Sequence, residues 1–230
     1  MSYMIRGDVM DSGKIIVIEG SCDGVGKTTQ YNLLKERLIE NGYHVVNHHF
    51  PTYDSYQGLF VEKYLNGEFG NINDLSPYFV NSLYACDRAI TWNTKLSKVY
   101  NQGDIILLDR YTTSSLIYQS ALIDNIEEKK KFIDYVCDFE YNKLGIVKPD
   151  VVIFLYASFD LVTKIREKRN KNSIDDIHER NLEFMKKVYD NAMFVADYLN
   201  WEKVNCDENN EMKSIDLIAE NIDTIINTIL

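Results

Sequence analysis

One segment of this chain combines residue types that suit phosphate chemistry. A glycine-rich turn at residues 20–29 lies between an apolar run and a stretch of helical periodicity. Such a turn directs backbone N–H groups and the positive end of the following helix at a phosphate chain. Lys27 then reaches the β and γ phosphates, and the Thr28 hydroxyl ligates Mg²⁺. The predicted nucleotide-phosphate site consists of Gly20, Ser21, Cys22, Asp23, Gly24, Val25, Gly26, Lys27, Thr28 and Thr29.

The spacing of this loop departs from the standard phosphate-loop pattern. That pattern has glycine at the position of Ser21, and here Gly20 comes one residue too early. We therefore expect a loop one residue longer than the standard form.

A second acidic group follows another apolar run. Residues 105–108 are all apolar, and Asp109 comes directly after them. In phosphate-loop folds the acid that holds Mg²⁺, directly or through water, lies at the end of such a strand. A strand-terminal Asp can instead cap a turn, but the neighbouring phosphate loop favours the metal role. The predicted metal ligands are thus Thr28 and Asp109.

The elements that must position these groups follow from hydrophobic patterning. Unbroken apolar runs, typical of strands buried on both faces of a parallel sheet, occur at residues 15–18, 45–46, 105–108 and 151–156, and more weakly at 201–206. Helical periodicity fills the intervals, at 28–40, 76–100, 127–144, 160–169, 176–199 and 212–229. This alternation predicts an α/β fold, a doubly wound parallel sheet flanked by helices. Ligands bind such sheets beyond the carboxyl ends of the strands.

Composition limits the class of protein. The 230 residues are 45% hydrophobic and 26% charged, with a net charge of −10, so a general DNA or RNA binder is disfavoured. No apolar run is long enough for a membrane helix. The four cysteines are far apart in the sequence, and no two of them form a Cys-x-x-Cys pair. This spacing predicts reduced thiols and a cytoplasmic protein. Residues 1–13 are expected to be a flexible leader, followed by one domain at 14–230.

The remaining motifs narrow the phosphate-loop class. A GTPase needs Asn-Lys-x-Asp, and the pairs at Asn142 and Asn170 lack the Asp; the Leu-Ser-Gly-Gly-Gln signature of transporter ATPases is absent as well. From about Lys14 to the last helix, the chain resembles the thymidylate kinase family. The resemblance rests on four motifs in the family's order: Asp23 before Gly-Val-Gly-Lys, Phe50-Pro51, Tyr84-Ala-Cys-Asp-Arg88, and the segment from Asp109-Arg110 through Ser114, Ser115 and Tyr118 to Gln119.

The resemblance implies a P-loop nucleoside monophosphate kinase that transfers the γ-phosphoryl group of ATP to thymidine 5′-monophosphate (dTMP). In it, Tyr84 stacks on thymine, Arg88 bonds the base, Arg110 grips the acceptor phosphate and Asp23 bonds the deoxyribose 3′-hydroxyl. Tyr84 and Arg88 are four residues apart, hence on one helix face. The predicted dTMP site comprises Asp23, Phe50, Pro51, Tyr53, Tyr84, Arg88, Arg110, Ser114, Ser115 and Tyr118. Family members are homodimers.

The segment at about 166–180 resembles the family's lid, which carries Arg166 and Arg169. Both arginines would stabilise the transferred phosphoryl group, since the loop position that is basic in some relatives is Gly24 here. A solvated basic face is the alternative interpretation. The predicted catalytic residues are therefore Lys27, Asp109, Arg110, Arg166 and Arg169.

One departure from the family concerns the acceptor phosphate. Relatives place an arginine within two residues after Phe-Pro, where this chain has Thr52 and Tyr53. We expect Arg110 to carry a larger share of acceptor binding, with help from a lysine such as Lys63. Two alternatives stay open: a deoxynucleoside kinase of the same fold, and a nucleotide-binding paralogue without turnover.

Overall fold

The computed structural model describes residues 12–70, 74–169 and 182–230, with the backbone alone at 168 and 169. Its centre is a parallel sheet of five strands in the order β2-β3-β1-β4-β5. These are β1 (Lys14–Gly20), β2 (Val45–His49), β3 (Ile105–Asp109), β4 (Val151–Tyr156) and β5 (Glu202–Asn205). The predicted fold class is confirmed.

Both faces of the sheet are covered, as the unbroken apolar runs predicted. Ile16 and Ile18 of β1 belong to one buried cluster, while Ile15 and Val17 belong to another on the opposite face. Side chains alternate across a strand, so four consecutive buried residues require packing on both sides. The sheet is therefore an interior layer between two layers of helices.

The phosphate-loop side of the sheet is covered by the first and last helices. Helix α1 (Lys27–Glu40) buries Leu34 and Leu38, and α9 (Ile215–Ile226) contributes Ile218 and Ile222 to the same cluster. The predicted end of α1 at residue 40 is correct. The prediction for the last helix, 212–229, was too long at both ends, because residues 211–212 form the second strand of a small antiparallel pair, β6 (Asp207–Glu208) and β7 (Glu211–Met212).

A long helical rod covers part of the opposite face. It consists of α3 (Pro77–Thr91), a π-helical stretch (Trp92–Leu96) and α4 (Ser97–Asn101). Ser76 caps α3 by accepting a hydrogen bond from the Tyr78 N–H, and proline occupies the first turn, as the sequence predicted. The short helix α2 (Leu59–Leu65) was not predicted.

The remaining helices complete the layer around the site. These are α5 (Thr112–Tyr118), α6 (Ile126–Cys137) with a π-helical extension (Asp138–Lys143), α7 (Phe159–Arg169) and α8 (Leu182–Tyr198). Helix α5 directly follows β3, so it begins at the carboxyl edge of the sheet. Within the described ranges, no helix is long and apolar enough to cross a membrane.

Two predicted segments fall largely outside the described residues. Of the proposed leader at 1–13, residues 1–11 lie outside them. Of the proposed lid at 166–180, only the backbone of 166–169 and the side chains of Arg166 and Glu167 lie within them.

Candidate active site

The phosphate loop connects β1 to α1 at the carboxyl edge of the sheet. Gly24 and Gly26 have φ values of 97° and 93°, which L side chains rarely adopt, so both positions need glycine. Gly26 immediately precedes Lys27, the first residue of α1. Burial raises the pKa of the Cys22 thiol in this loop to about 12. The loop therefore presents its backbone N–H groups and the N-terminus of α1 as a cradle for anionic oxygens.

Three polar side chains meet at the carboxyl edge of the sheet: those of Asp109, Lys27 and His49. Lys27 Nζ donates to Asp109 Oδ1, and His49 Nδ1 lies 3.0 Å from Asp109 Oδ2. Burial alone would raise the pKa of Asp109, but the hydrogen bond with His49 and the Lys27 charge outweigh it and lower that pKa well below its ordinary value. The carboxylate is therefore ionised at neutral pH. With the Thr28 hydroxyl in the first turn of α1, it offers the hard oxygen donors that Mg²⁺ prefers.

Arg110 follows Asp109 directly and has an unusual backbone. Its φ of 66° lies in the left-handed region, which costs a non-glycine residue on the order of 1 kcal/mol or more. Its guanidinium lies 3.3 Å from Asp23 Oδ1 and 3.4 Å from Ser114 Oγ, and 5.5 Å from the Tyr118 ring centre. Arg110 thus brings together the phosphate loop and helix α5.

A cavity opens between the phosphate loop, α3, α5 and α8. Its empty volume, which includes open solvent, is about 930 Å³. All ten residues of the predicted dTMP site line it: Asp23, Phe50, Pro51, Tyr53, Tyr84, Arg88, Arg110, Ser114, Ser115 and Tyr118. The structure therefore brings these residues together, although they come from four separate stretches of the chain.

The base-binding pair predicted on α3 has contrasting surroundings. Tyr84 lies at the cavity, with its ring in edge contact with Tyr64 at 6.2 Å. Arg88 is only 1% exposed, and Glu140 accepts hydrogen bonds of 2.6 Å from both its Nε and its Nη2. Burial opposes the charge of Arg88, yet Glu140 raises its pKa above the ordinary value. Arg88 is therefore a fixed cation in the cavity wall.

Sequence reasoning missed several residues of this cavity. Gln119 lines it, and its amide oxygen is buried without a hydrogen-bond partner among the described residues. Phe184 and Met185 of α8 also line it. Gln119 is the last residue of the motif that begins at Asp109, so its position within that motif is the available signal. Nothing local in the sequence marks the α8 residues.

The two residues after Phe50-Pro51 have different surroundings. Thr52 does not line the cavity; its hydroxyl lies 3.1 Å from His48 Nε2, and its backbone N–H donates to Asp87 at 2.7 Å. Tyr53 does line the cavity. Lys63 forms an exposed ion pair with Glu68 at 2.8 Å and is not part of the lining. The structure gives Lys63 no contact with the acceptor site.

The two predicted lid arginines are only partly covered by the described residues. Arg166 Nη1 contacts Sδ of Met185, a cavity-lining residue. Helix α7 also approaches the phosphate loop, since a side chain at Gly24 would meet the Val162 carbonyl at 3.6 Å. The side chain of Arg169 lies outside what the structure describes. Arg166 is thus near both the loop and the cavity.

The fold and this site define a phosphate-loop kinase that works on a nucleoside monophosphate. Comparison with known proteins identifies the family, because the family model described as "Thymidylate kinase" matches residues 18–216 of this chain. The chain belongs to the thymidylate kinase family. It is therefore a phosphotransferase that phosphorylates dTMP with ATP, and the two alternatives considered from the sequence are not favoured.

Individual relatives agree with this assignment. Thymidylate kinase of Prochlorococcus marinus is 32% identical over 86% of this chain and 90% of that protein. A probable thymidylate kinase of Staphylothermus marinus is 31% identical over 81% and 83%. Among solved structures, thymidylate kinase from Candida albicans matches with a TM-score of 0.71 and 25% identity, over 94% of this chain and 92% of the other.

Proposed function

We propose that the two halves of the site divide the work of phosphoryl transfer between the phosphate loop and the cavity. Lys27 and the loop amides hold the phosphates of ATP, and Arg110 holds the phosphate of dTMP. The attacking group is already an anionic phosphate oxygen, so no strong general base is required. The protein contributes in-line positioning and charge neutralisation, which dominate catalysis of this reaction class.

The acceptor side is supported by the cavity lining. Tyr84 offers an aromatic face for the pyrimidine, and Arg88 offers an N–H donor to a base carbonyl. The unpartnered amide oxygen of Gln119 provides an acceptor for a base N–H. Asp23, whose side chain is 45% exposed beside Arg110, serves the deoxyribose 3′-hydroxyl. These groups together suit a thymidine nucleotide with its phosphate toward Arg110.

We assign Mg²⁺ binding to Thr28 and Asp109. When bound, the metal neutralises charge on the phosphates of ATP. The residues present fit this ion, because Asp109 stays ionised and the hydroxyl of Thr28 belongs to the first turn after the loop. In the same arrangement, Lys27 turns from Asp109 to a phosphate oxygen.

Arg166 and Arg169 are proposed to stabilise the transferred phosphoryl group from a lid at about 166–180, within a single domain spanning 14–230. The position of Arg166 near Met185 and the loop supports this role. In such a lid, closure over ATP would deliver the arginines only when both substrates are bound.

We also propose that the protein is a homodimer in the cytoplasm. All four cysteines are free thiols, which suits a reducing compartment. Exposed apolar side chains on α2 and at the start of α3, namely Leu59, Phe60, Tyr78 and Phe79, would lie in or near the dimer interface. Light scattering of the purified chain tests this directly, and a mass of one chain at micromolar concentration would reject it.

The observation that carries the site assignment is the convergence of all ten predicted dTMP residues on one cavity beside the phosphate loop. The test is ADP release from ATP and Mg²⁺, run over a panel of nucleoside and nucleotide acceptors. We expect turnover with dTMP and none with thymidine. The Lys27→Ala variant should retain its thermal unfolding transition while losing activity, since Lys27 contacts phosphate and is not a packing residue. Near-wild-type turnover in folded Lys27→Ala protein would reject the assignment.

A further inference from the structure

Glu140 is a buried acid that the catalytic scheme does not use. It is 0% exposed and belongs to the π-helical stretch that extends α6. Its carboxylate accepts hydrogen bonds from Arg88 and from the Thr112 hydroxyl, at 2.9 Å in the latter case. A buried ion pair of this kind is poor evidence for stability, because desolvation offsets the attraction. What bears on function is the orientation in which this ion pair holds the Arg88 guanidinium.

Most of the N–H donors of Arg88 already have partners, and two of the five are bonded to Glu140. A guanidinium has five N–H groups in one plane. Nε and one Nη2 hydrogen go to Glu140, and the other Nη2 hydrogen goes to Ser115 Oγ at 2.9 Å. Nη1 makes one long contact of 3.4 Å with the Tyr111 carbonyl. One Nη1–H therefore has no partner among the described residues, and the plane in which it lies is fixed by Glu140.

The same arrangement sets the polarity of Ser115. Its oxygen accepts a hydrogen bond from Arg88, so its own hydrogen is available to donate. Arg88 and Ser115 both line the cavity, and together they present donors to a bound base. A carbonyl at position 4 of a pyrimidine, as in thymine or uracil, accepts hydrogen bonds from such donors. The amino group at position 4 of cytosine is itself a donor and would be left unpaired, which is costly in a buried site.

We propose that Glu140 is a positioning residue that fixes the plane of the Arg88 guanidinium. The cavity wall formed by Arg88 and Ser115 then presents hydrogen-bond donors, and these donors select pyrimidine monophosphates with a 4-oxo group over those with a 4-amino group. The inference rests on the proposed contact between Arg88 and the base. In Glu140→Gln, the amide nitrogen must face an N–H of Arg88, so the bidentate contact is lost and the guanidinium is released from its plane.

The experiment measures dissociation constants of dTMP and of deoxycytidine monophosphate (dCMP) by calorimetric titration of the full chain. We expect Glu140→Gln to lower the dCMP-to-dTMP ratio of these constants by about tenfold or more, with the dissociation constant of ATP unchanged. Thr112→Val is the matched control: it also removes a hydrogen bond to Glu140 but keeps both bonds to Arg88. Its ratio should stay within about twofold of the wild-type value.

A double-mutant cycle separates positioning from general damage. In an Arg88→Met background, Glu140→Gln should change the ratio by less than about twofold, because its effect acts through Arg88. If Glu140→Gln does not fold, Glu140→Asp retains the charge but shortens the side chain, and it should lower the ratio by about threefold or more.

The outcomes that overturn the inference are distinct from those that overturn the proposed site. A wild-type ratio in folded Glu140→Gln or Glu140→Asp, together with a reduced ratio in Arg88→Met, rejects the role of Glu140 and keeps the contact of Arg88 with the base. An unchanged ratio in Arg88→Met rejects that contact and the inference with it.

Discussion

Glu19 Oε1 and Arg110 Nη1 lie 3.7 Å apart, where β1 and β3 run side by side at the carboxyl edge of the sheet. Glu19 is fully buried and accepts hydrogen bonds from Thr113 Oγ1 and Ser114 Oγ, at 2.8 and 2.6 Å. It therefore links the strand before the phosphate loop to the start of α5. This one carboxylate helps hold Arg110, whose backbone is already in the left-handed region.

Glu19→Gln should consequently disorder the Arg110 side chain. We expect kcat/KM for dTMP to fall about tenfold, with a smaller change in KM for ATP, because one partner of the guanidinium loses its charge. Arg110→Ala should be close to inactive. Steady-state kinetics with each substrate varied in turn checks both expectations. If Arg110→Ala retains most of its activity, another group holds the acceptor phosphate.

Tyr84→Ala should weaken dTMP binding by about 1 to 3 kcal/mol, the usual contribution of a base stacked on an aromatic ring. ATP binding should barely change. Tyr100 is the matched control on the same helical rod, since its ring packs against Trp92 instead of lining the cavity. Tyr100→Ala should leave dTMP affinity near wild type. Equal losses for both nucleotides in Tyr84→Ala would place its role in packing.

Tyr53→Arg should lower KM for dTMP without altering KM for ATP. Tyr53 lines the cavity, so a guanidinium there can supply the charge that relatives carry after Phe-Pro. The natural comparison is Thr52→Arg. This variant loses the contact of Thr52 with His48 and starts from a position outside the cavity lining, so it should give no such gain. A larger gain from Thr52→Arg than from Tyr53→Arg would contradict this arrangement.

Arg166→Ala should lower kcat more than it raises either KM, since the proposed contact with the transferred group is strongest in the transition state. Steady-state kinetics with each substrate varied in turn give kcat and both KM values and test this expectation. Lys164→Ala, an exposed cation on the same helix, serves as the control and should remain near wild type. A rise in KM for ATP alone would mean that Arg166 binds ATP equally in the ground state and transition state.

The stability of the protein should depend on pH through His48. Burial, with smaller contributions from Lys95 and His49, lowers the pKa of His48 to about 4. The unfolded chain, with an ordinary histidine pKa near 6.5, therefore binds more protons between about pH 6.5 and 4. The stabilisation is present above pH 6.5 and is lost as the pH falls toward 4.

His48→Gln should flatten this dependence, by an amount on the order of 1 to 2 kcal/mol across that interval, since the group is only partly buried. Urea unfolding at pH 7 and pH 5 provides the measurement. His44, whose side chain is 73% exposed, is the control, and His44→Gln should retain the loss of stability at pH 5. If the free energy of unfolding of His48→Gln still falls between pH 7 and pH 5 as much as that of the wild type, other groups cause the loss of stability at low pH.

Much of this protein was determined by local sequence. Unbroken apolar runs predicted the three central strands, β1, β3 and β4, because a strand buried on both faces needs consecutive apolar residues. The edge strands β2 and β5 are only partly buried, and their apolar runs are correspondingly shorter or weaker. Gly24, Gly26 and Lys27 predicted the phosphate loop, because few residue types allow its backbone conformation and its contacts with phosphate. The family's motifs then identified ten residues that do line one cavity.

What the tertiary structure alone decided are the partners of those residues. Arg88 and Glu140 are separated by 52 positions, and Glu19 and Arg110 by 91, so no local pattern could pair them. Thr52 and Tyr53 are neighbours in sequence, yet only Tyr53 lines the cavity, because hydrogen bonds to Asp87 and His48 turn Thr52 away. Residue type and spacing determine which chemistry is available, whereas packing between distant elements determines which donor, acceptor or charge faces the substrate.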